Sequence, residues 1–194
     1  MSTDMPGLLE VAARRGNVGE VKQILRRCED GGGRSLLNFT FEQKDEGLGG
    51  AQGVPGTLLH WAVIKGDVHL ATLLLSKSAD VDALDELKQT PLFPAAALTP
   101  RAAHYADPLA MVALLLKHKA QVCPRRANGS TAVHAAMTLG GHREVLELLV
   151  KQDPRALYVK DRRDGNTPLD DAVSRGLHGH AEFLRSLMQR GADV

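Results

Sequence analysis

The apolar residues fall into short blocks that keep returning in the same shape. Leu58, Leu59, Trp61, Ala62, Val63 and Ile64 form one compact segment. A break at Gly66-Asp67 follows, and Leu70-Ala71-Thr72-Leu73-Leu74-Leu75 forms a second. Later second segments read Met111-Val112-Ala113-Leu114-Leu115-Leu116, Glu144-Val145-Leu146-Glu147-Leu148-Leu149 and Glu182-Phe183-Leu184-Arg185-Ser186-Leu187. Apolar positions three and four residues apart predict helices, and a glycine between two such segments predicts a reversal of the chain. Each block therefore reads as a pair of helices, with Gly66, Gly141 and Gly179 assigned to the reversals.

The blocks are also in phase. Thr57-Leu58-Leu59-His60-Trp61-Ala62 is echoed by Thr90-Pro91-Leu92-Phe93-Pro94-Ala95, Thr131-Ala132-Val133-His134-Ala135-Ala136 and Thr167-Pro168-Leu169-Asp170-Asp171-Ala172, at intervals of 33, 41 and 36 residues. One such hexad would mean little, but four phased copies with matching second helices are specific. They resemble the ankyrin repeat, whose signature is T-P-L-H-x-A. Ser78-Ala79-Asp80-Val81-Asp82-Ala83 and Gly191-Ala192-Asp193-Val194 are similar to the family's unit ending.

The resemblance implies an all-α ankyrin-repeat solenoid of about five helix-turn-helix units with β-hairpin-like loops. The chain then forms one domain: a degenerate N-terminal cap at 6–27, a Gly-rich insertion at 28–54, and units 57–89, 90–130, 131–166 and 167–194. The cap lacks the Thr and His but carries Arg14, Arg15, Lys22, Arg26 and Arg27, a polar face suited to shielding the end of a stack. The signature Thr suits a helix N-cap, and Pro after it has the right φ for the first helical turn. From the family pattern, His60 and His134 are expected to bond backbone and Thr groups between adjacent units.

Insertions interrupt the period. Leu36-Leu37-Asn38-Phe39-Thr40-Phe41, inside 28–54, is compatible with a hairpin finger or with a disordered loop. The stretch 98–108 separates the helices of one unit, and three extra residues are assigned near Leu177-His178-Gly179-His180. Loops of this kind are tolerated at small thermodynamic cost, yet they are also where function collects.

Composition narrows the class. Apolar residues make up 43% and aromatics 4% of the 194 residues, so the core must be filled by Leu, Val and Ala, which favours close-packed helices. A formal net charge of +1 gives no broad attraction to nucleic acid or anionic lipid. Two cysteines, Cys28 and Cys123, make no disulfide framework or zinc site, and no signal-like or membrane-spanning stretch is present. A cytoplasmic or nuclear setting is expected.

Chemistry finds little support. The glycines from Gly47 put Gln52 where a phosphate loop needs its last glycine. His178, His180 and Glu182 have no second cluster to complete a metal site, and Cys123 has no His or acid in sequence pattern. No catalytic, cofactor or metal residues are assigned.

The expected function is a non-catalytic adaptor or inhibitor, monomeric alone, that binds another protein or peptide segment rather than nucleic acid or membrane. The alternative is a targeting or regulatory segment of a larger enzyme. In the family, partners lie across the concave face, so Trp61, Ile64, Lys65, Thr138, Leu139, Asp171 and Arg175 are assigned to it. Trp61 could anchor a partner there or pack inside the stack. The loop tips add Asp82, Asp85 and Glu86, then Arg125 and Arg126, then Arg162 and Arg163. Such a row suits a partner that is basic toward the N-terminal side and acidic toward the C-terminal side.

Overall fold

A computed structural model describes residues 5–27, 56–97, 107–137 and 142–192. The helices come in pairs: α1 (Met5–Arg14) with α2 (Val18–Arg27), α3 (Leu58–Ile64) with α4 (Val68–Ser76), α5 (Leu92–Ala97) with α6 (Pro108–Lys117), α7 (Ala132–Ala136) with α8 (Arg143–Gln152), and α9 (Pro168–Ser174) with α10 (His178–Ala192). A 3-10 helix, Pro154–Tyr158, follows α8. The first helices α3, α5, α7 and α9 pack in series as one layer, and α2, α4, α6, α8 and α10 pack in series as the other. The structure is thus the stack of helical pairs expected from the phased blocks.

The layers bury different fractions of their residues, and the sequence shows why. Helix α3 is covered on nearly every side, with Leu58 through Val63 all buried between neighbours. Outer helices keep one wet face: α8 buries Val145, Leu146, Leu149 and Val150 and exposes Arg143, Glu144, Glu147 and Lys151. Four buried aliphatic side chains contribute roughly 6 to 10 kcal/mol gross to such a helix, far more than propensity differences of about 0.5 kcal/mol per residue. Packing therefore holds helices that are too short to persist alone.

Caps fix the joints. The Asp67 carboxylate accepts from the Leu70 amide at 2.8 Å at the start of α4, and it also pairs with Lys22 of α2 at 2.6 Å, tying the cap to the next unit. Asp107 caps α6, so Pro108, assigned to the insertion, is instead the first residue of that helix. After α4 and α6 the chain turns through left-handed residues, Ser78 at φ 67° and Lys119 at φ 71°, where glycine would be the unstrained choice.

Two local expectations are corrected. The reversal in the last pair falls on Gly176 at φ 69°, matching Gly66 at φ 67°, whereas Gly179 lies inside α10. The extra residues are not at Leu177–His180, because the step from Thr167 to His178 equals that from Thr57 to Val68. Part of the extra length lies upstream, in the 3-10 helix and in a turn, Asp161–Asn166, one residue longer than Asp85–Gln89. The hairpin-like loops between units are hydrogen-bonded turns, with no strand among the described residues. The finger expected within 28–54, the residues 98–106, Gly141, Thr138 and Leu139 lie outside the described residues.

Candidate protein-binding surface

Three turns, Asp85–Gln89, Arg126–Ser130 and Asp161–Asn166, project between successive units beside the starts of the first helices. Each closes through its own backbone: Asp85 N donates to Gln89 O at 3.0 Å, Arg126 N to Ser130 O at 2.9 Å, and Asp161 N to Asn166 O at 2.9 Å. They are also bonded to one another. Ala127 N donates to Leu87 O at 3.1 Å and Arg162 N to Asn128 O at 2.8 Å, so the turns form a connected row. Gly129 allows the second bond: its φ is 84°, and a Cβ there would lie 2.6 Å from Arg162 N.

Two of the joints beneath this row are made by histidine. His60, 1% exposed, accepts at Nδ1 from Thr57 N at 3.2 Å and lies 2.9 Å from Thr57 Oγ1, while Nε2 donates to Gln89 O at 3.0 Å. His134 repeats the arrangement with Thr131 and, at 3.2 Å, Asn166 O. The amide donating to Nδ1 requires the neutral tautomer with the proton on Nε2. Burial accordingly holds both imidazoles below the ordinary histidine pKa, against the opposing pull of the backbone acceptors and of Asp85 at His60. The bonds between units expected of these two histidines are present.

The unit between them is built differently. Phe93 stands at the histidine position, and the Arg126 guanidinium lies over its ring, 5.1 Å from the centroid. With the Gln89 amide turned so that its oxygen faces the guanidinium, Nε and Nη2 both donate to it at 3.2 Å. In the last unit Asp170 takes that position and accepts from Thr167 N at 2.9 Å and Oγ1 at 2.7 Å. These bonds, chiefly those from Thr167, hold its carboxyl below the usual range.

The residues assigned to a partner divide sharply by exposure. Trp61 is 3% exposed and packs in the core, so it does not offer its face to the groove. The reason is the crowding of α3, which leaves the position after His60 covered. Ala135, at the equivalent place in α7, is buried too. Asp85 is 5% exposed because its Oδ1 accepts from Gln89 N at 2.7 Å, making it part of the turn. Asp171 is likewise buried, engaged by Arg175 at 3.3 Å and Asn166 Nδ2 at 3.4 Å.

Ile64, Lys65, Asp82 and Arg126 are half-buried, and Glu86, Arg125, Arg162, Arg163 and Arg175 are exposed. Asp82 accepts from Gln121 N at 3.0 Å, which ties it to the next unit. Sequence reasoning passed over Leu84 and Leu87, 49% and 44% exposed on either side of the buried Asp85. Two leucines in a loop between helical blocks were the available signal.

Cys123 does have an acid, Asp153, thirty residues on: Sγ donates to Oδ2 at 3.2 Å, and Arg155 clamps the same carboxylate at 2.9 and 3.0 Å. Burial and this carboxylate push the thiol up to about 11, the opposite of an activated nucleophile. Among the described residues no three His, Cys, Asp or Glu side chains gather as metal ligands, and no helix is long and apolar enough to cross a membrane.

Stacked helical pairs joined by a bonded row of turns define a repeat solenoid, in which each unit packs only on its neighbours. The family model for a single ankyrin repeat matches residues 57–86, and that for three ankyrin repeat copies matches residues 100–194. The chain belongs to the ankyrin-repeat family. Ankyrin repeats are generally protein–protein interaction modules.

Proposed function

We propose that this chain is a non-catalytic adaptor or inhibitor that holds a partner protein against the exposed side of its first helices and the row of turns, in the cytoplasm or nucleus. The observation that carries this reading is the row itself. Neighbouring turns are fixed to one another by backbone hydrogen bonds, so Leu84, Leu87, Arg125, Arg162 and Arg163 are presented at set spacings without further ordering cost. A rigid display of mixed apolar and charged side chains suits recognition of another chain. The raised Cys123 thiol and the capped Asp170 suit no reaction.

A photo-crosslinking amino acid placed at Leu84 or Arg175, and separately at the exposed outer-helix position Thr72, tests it. Partner adducts from Leu84 and Arg175 but not from Thr72 are expected, and adducts confined to Thr72 would sink the proposal. Trp61→Ala is unsuited to mapping the contact, because a buried side chain reports on folding.

A further inference from the structure

We infer that the second and third turns are a docking site for an acidic segment of the partner protein; this deepens the reading above and rests on it. From the letters alone, Asp161 and Asp164 offset Arg162 and Arg163. The structure turns Asp161 inward without removing its charge: it is 9% exposed, and its Oδ1 accepts from the Asp164 and Asn166 amides at 3.1 and 3.2 Å, so it faces its own turn rather than a partner. The other carboxylates nearby are also committed. Asp170 caps its own helix, Asp171 faces Arg175, and Asp153 is held between Arg155 and Cys123.

What remains exposed across these two turns is Arg125, Lys160, Arg162 and Arg163, with Arg126 half-buried over Phe93, against Asp164 and against Asp170, whose charge is felt by Lys160. The preceding turn keeps a negative field of its own, with Asp80 and Glu86 exposed and Asp82 half-buried against Lys88, so the positive excess begins only at Arg125. Its exposed Leu84 and Leu87 are instead apolar, and the bond from Ala127 N to Leu87 O sets them directly beside the basic turns.

An apolar side chain on the first turn followed by carboxylates on the next two is the complementary ligand. A protein segment supplies both. Nucleic acid would leave the leucines unmatched, and the net charge of +1 gives no wider basic surface to follow a phosphate backbone. Leu84 and Leu87 add an apolar contact to the expected partner, whose acidic part lies on the arginine turns.

The test is fluorescence anisotropy of the full chain with a labelled synthetic peptide carrying one leucine at one end and Glu and Asp along the rest. The same peptide with Lys in place of the acids, and a single-stranded RNA of similar length, are the controls. The acidic peptide is expected to bind in preference to both, weakening about tenfold between about 50 and about 300 mM salt. Arg125→Glu with Arg162→Glu is expected to weaken it about tenfold with an unchanged circular dichroism spectrum, and to shift preference toward the lysine peptide. Arg163→Glu alone, on an exposed turn residue, supplies the same test if the double variant misfolds.

Equal or stronger binding of the lysine peptide would overturn the inference. Tighter binding of the RNA through the same arginines would overturn it in favour of nucleic acid. A cross-linked protein whose binding ignores both salt and the arginine reversals would overturn it while leaving the protein-binding function standing.

Discussion

The joint that His60 makes with Gln89 and the one that Phe93 makes with Arg126 occupy the same place in successive units, yet they share almost no chemistry. In the first, a neutral imidazole spans a helix N-terminus and the carbonyl of the next loop, with Asp85 organising the turn above it. In the second the ring cannot hydrogen-bond, and the turn residue equivalent to Asp85 is Arg126, which covers the ring instead. The two changes compensate. The backbone row needs each unit anchored, and either a buried polar bridge or a cation on an aromatic face supplies the anchor. Only the second leaves a positive charge on the surface.

Breaking the histidine joint is expected to cost most. His60→Ala leaves the Thr57 amide unpaired in a buried site and takes one of its two donors from the Gln89 carbonyl, lowering stability by about 3 kcal/mol in urea titrations. The single Trp61, buried beside it, supplies the fluorescence signal for that measurement.

Acid should act on the same joints. Both histidines have folded pKa values lowered from 6.5, chiefly by burial, so the unfolded chain takes up protons first. Their stabilising contribution is complete above pH 6.5 and is lost as pH falls below it, until the folded pKa is passed. The histidine contribution to the dependence of urea midpoint on pH below 6.5 is expected to shrink in His60→Ala and to persist in Phe93→Leu. The carboxylates lowered from 3.8, Asp67, Asp153, Asp161 and Asp170, contribute in a separate window, as pH falls below that value.

The turns allow a finer comparison. Gly129→Ala forces a left-handed residue against Arg162 N and is expected to cost about 2 kcal/mol. The same change at Gly165, whose Cβ would meet nothing within 4 Å, should cost only the strain of its positive φ, about 1 kcal/mol. Arg126→Ala should cost about 0.5 to 1 kcal/mol, and a double-mutant cycle with Phe93→Ala should recover most of that as coupling. Additive effects would show that Phe93 anchors by packing alone. Lys119→Gly, which relieves strain at φ 71°, is expected to stabilise by about 0.5 kcal/mol in the same titration, after the entropy cost of glycine.

The bridging histidines were implied by the family resemblance; the phased Thr hexads and the apolar stripes of the second helices determined the all-α repeat and the pairing of helices. Those features depend on residues a few positions apart, and a repeat writes the same local rule several times. Exposure and available charge were decided by the tertiary structure. Trp61 looks like an outward anchor until α3 is packed on all sides, and Asp85 and Asp161 look like surface acids until each is seen bonded to its own turn. Neither outcome is periodic. Each depends on which neighbour arrives from the adjoining unit, so the polarity of the partner surface appears only once the units are stacked.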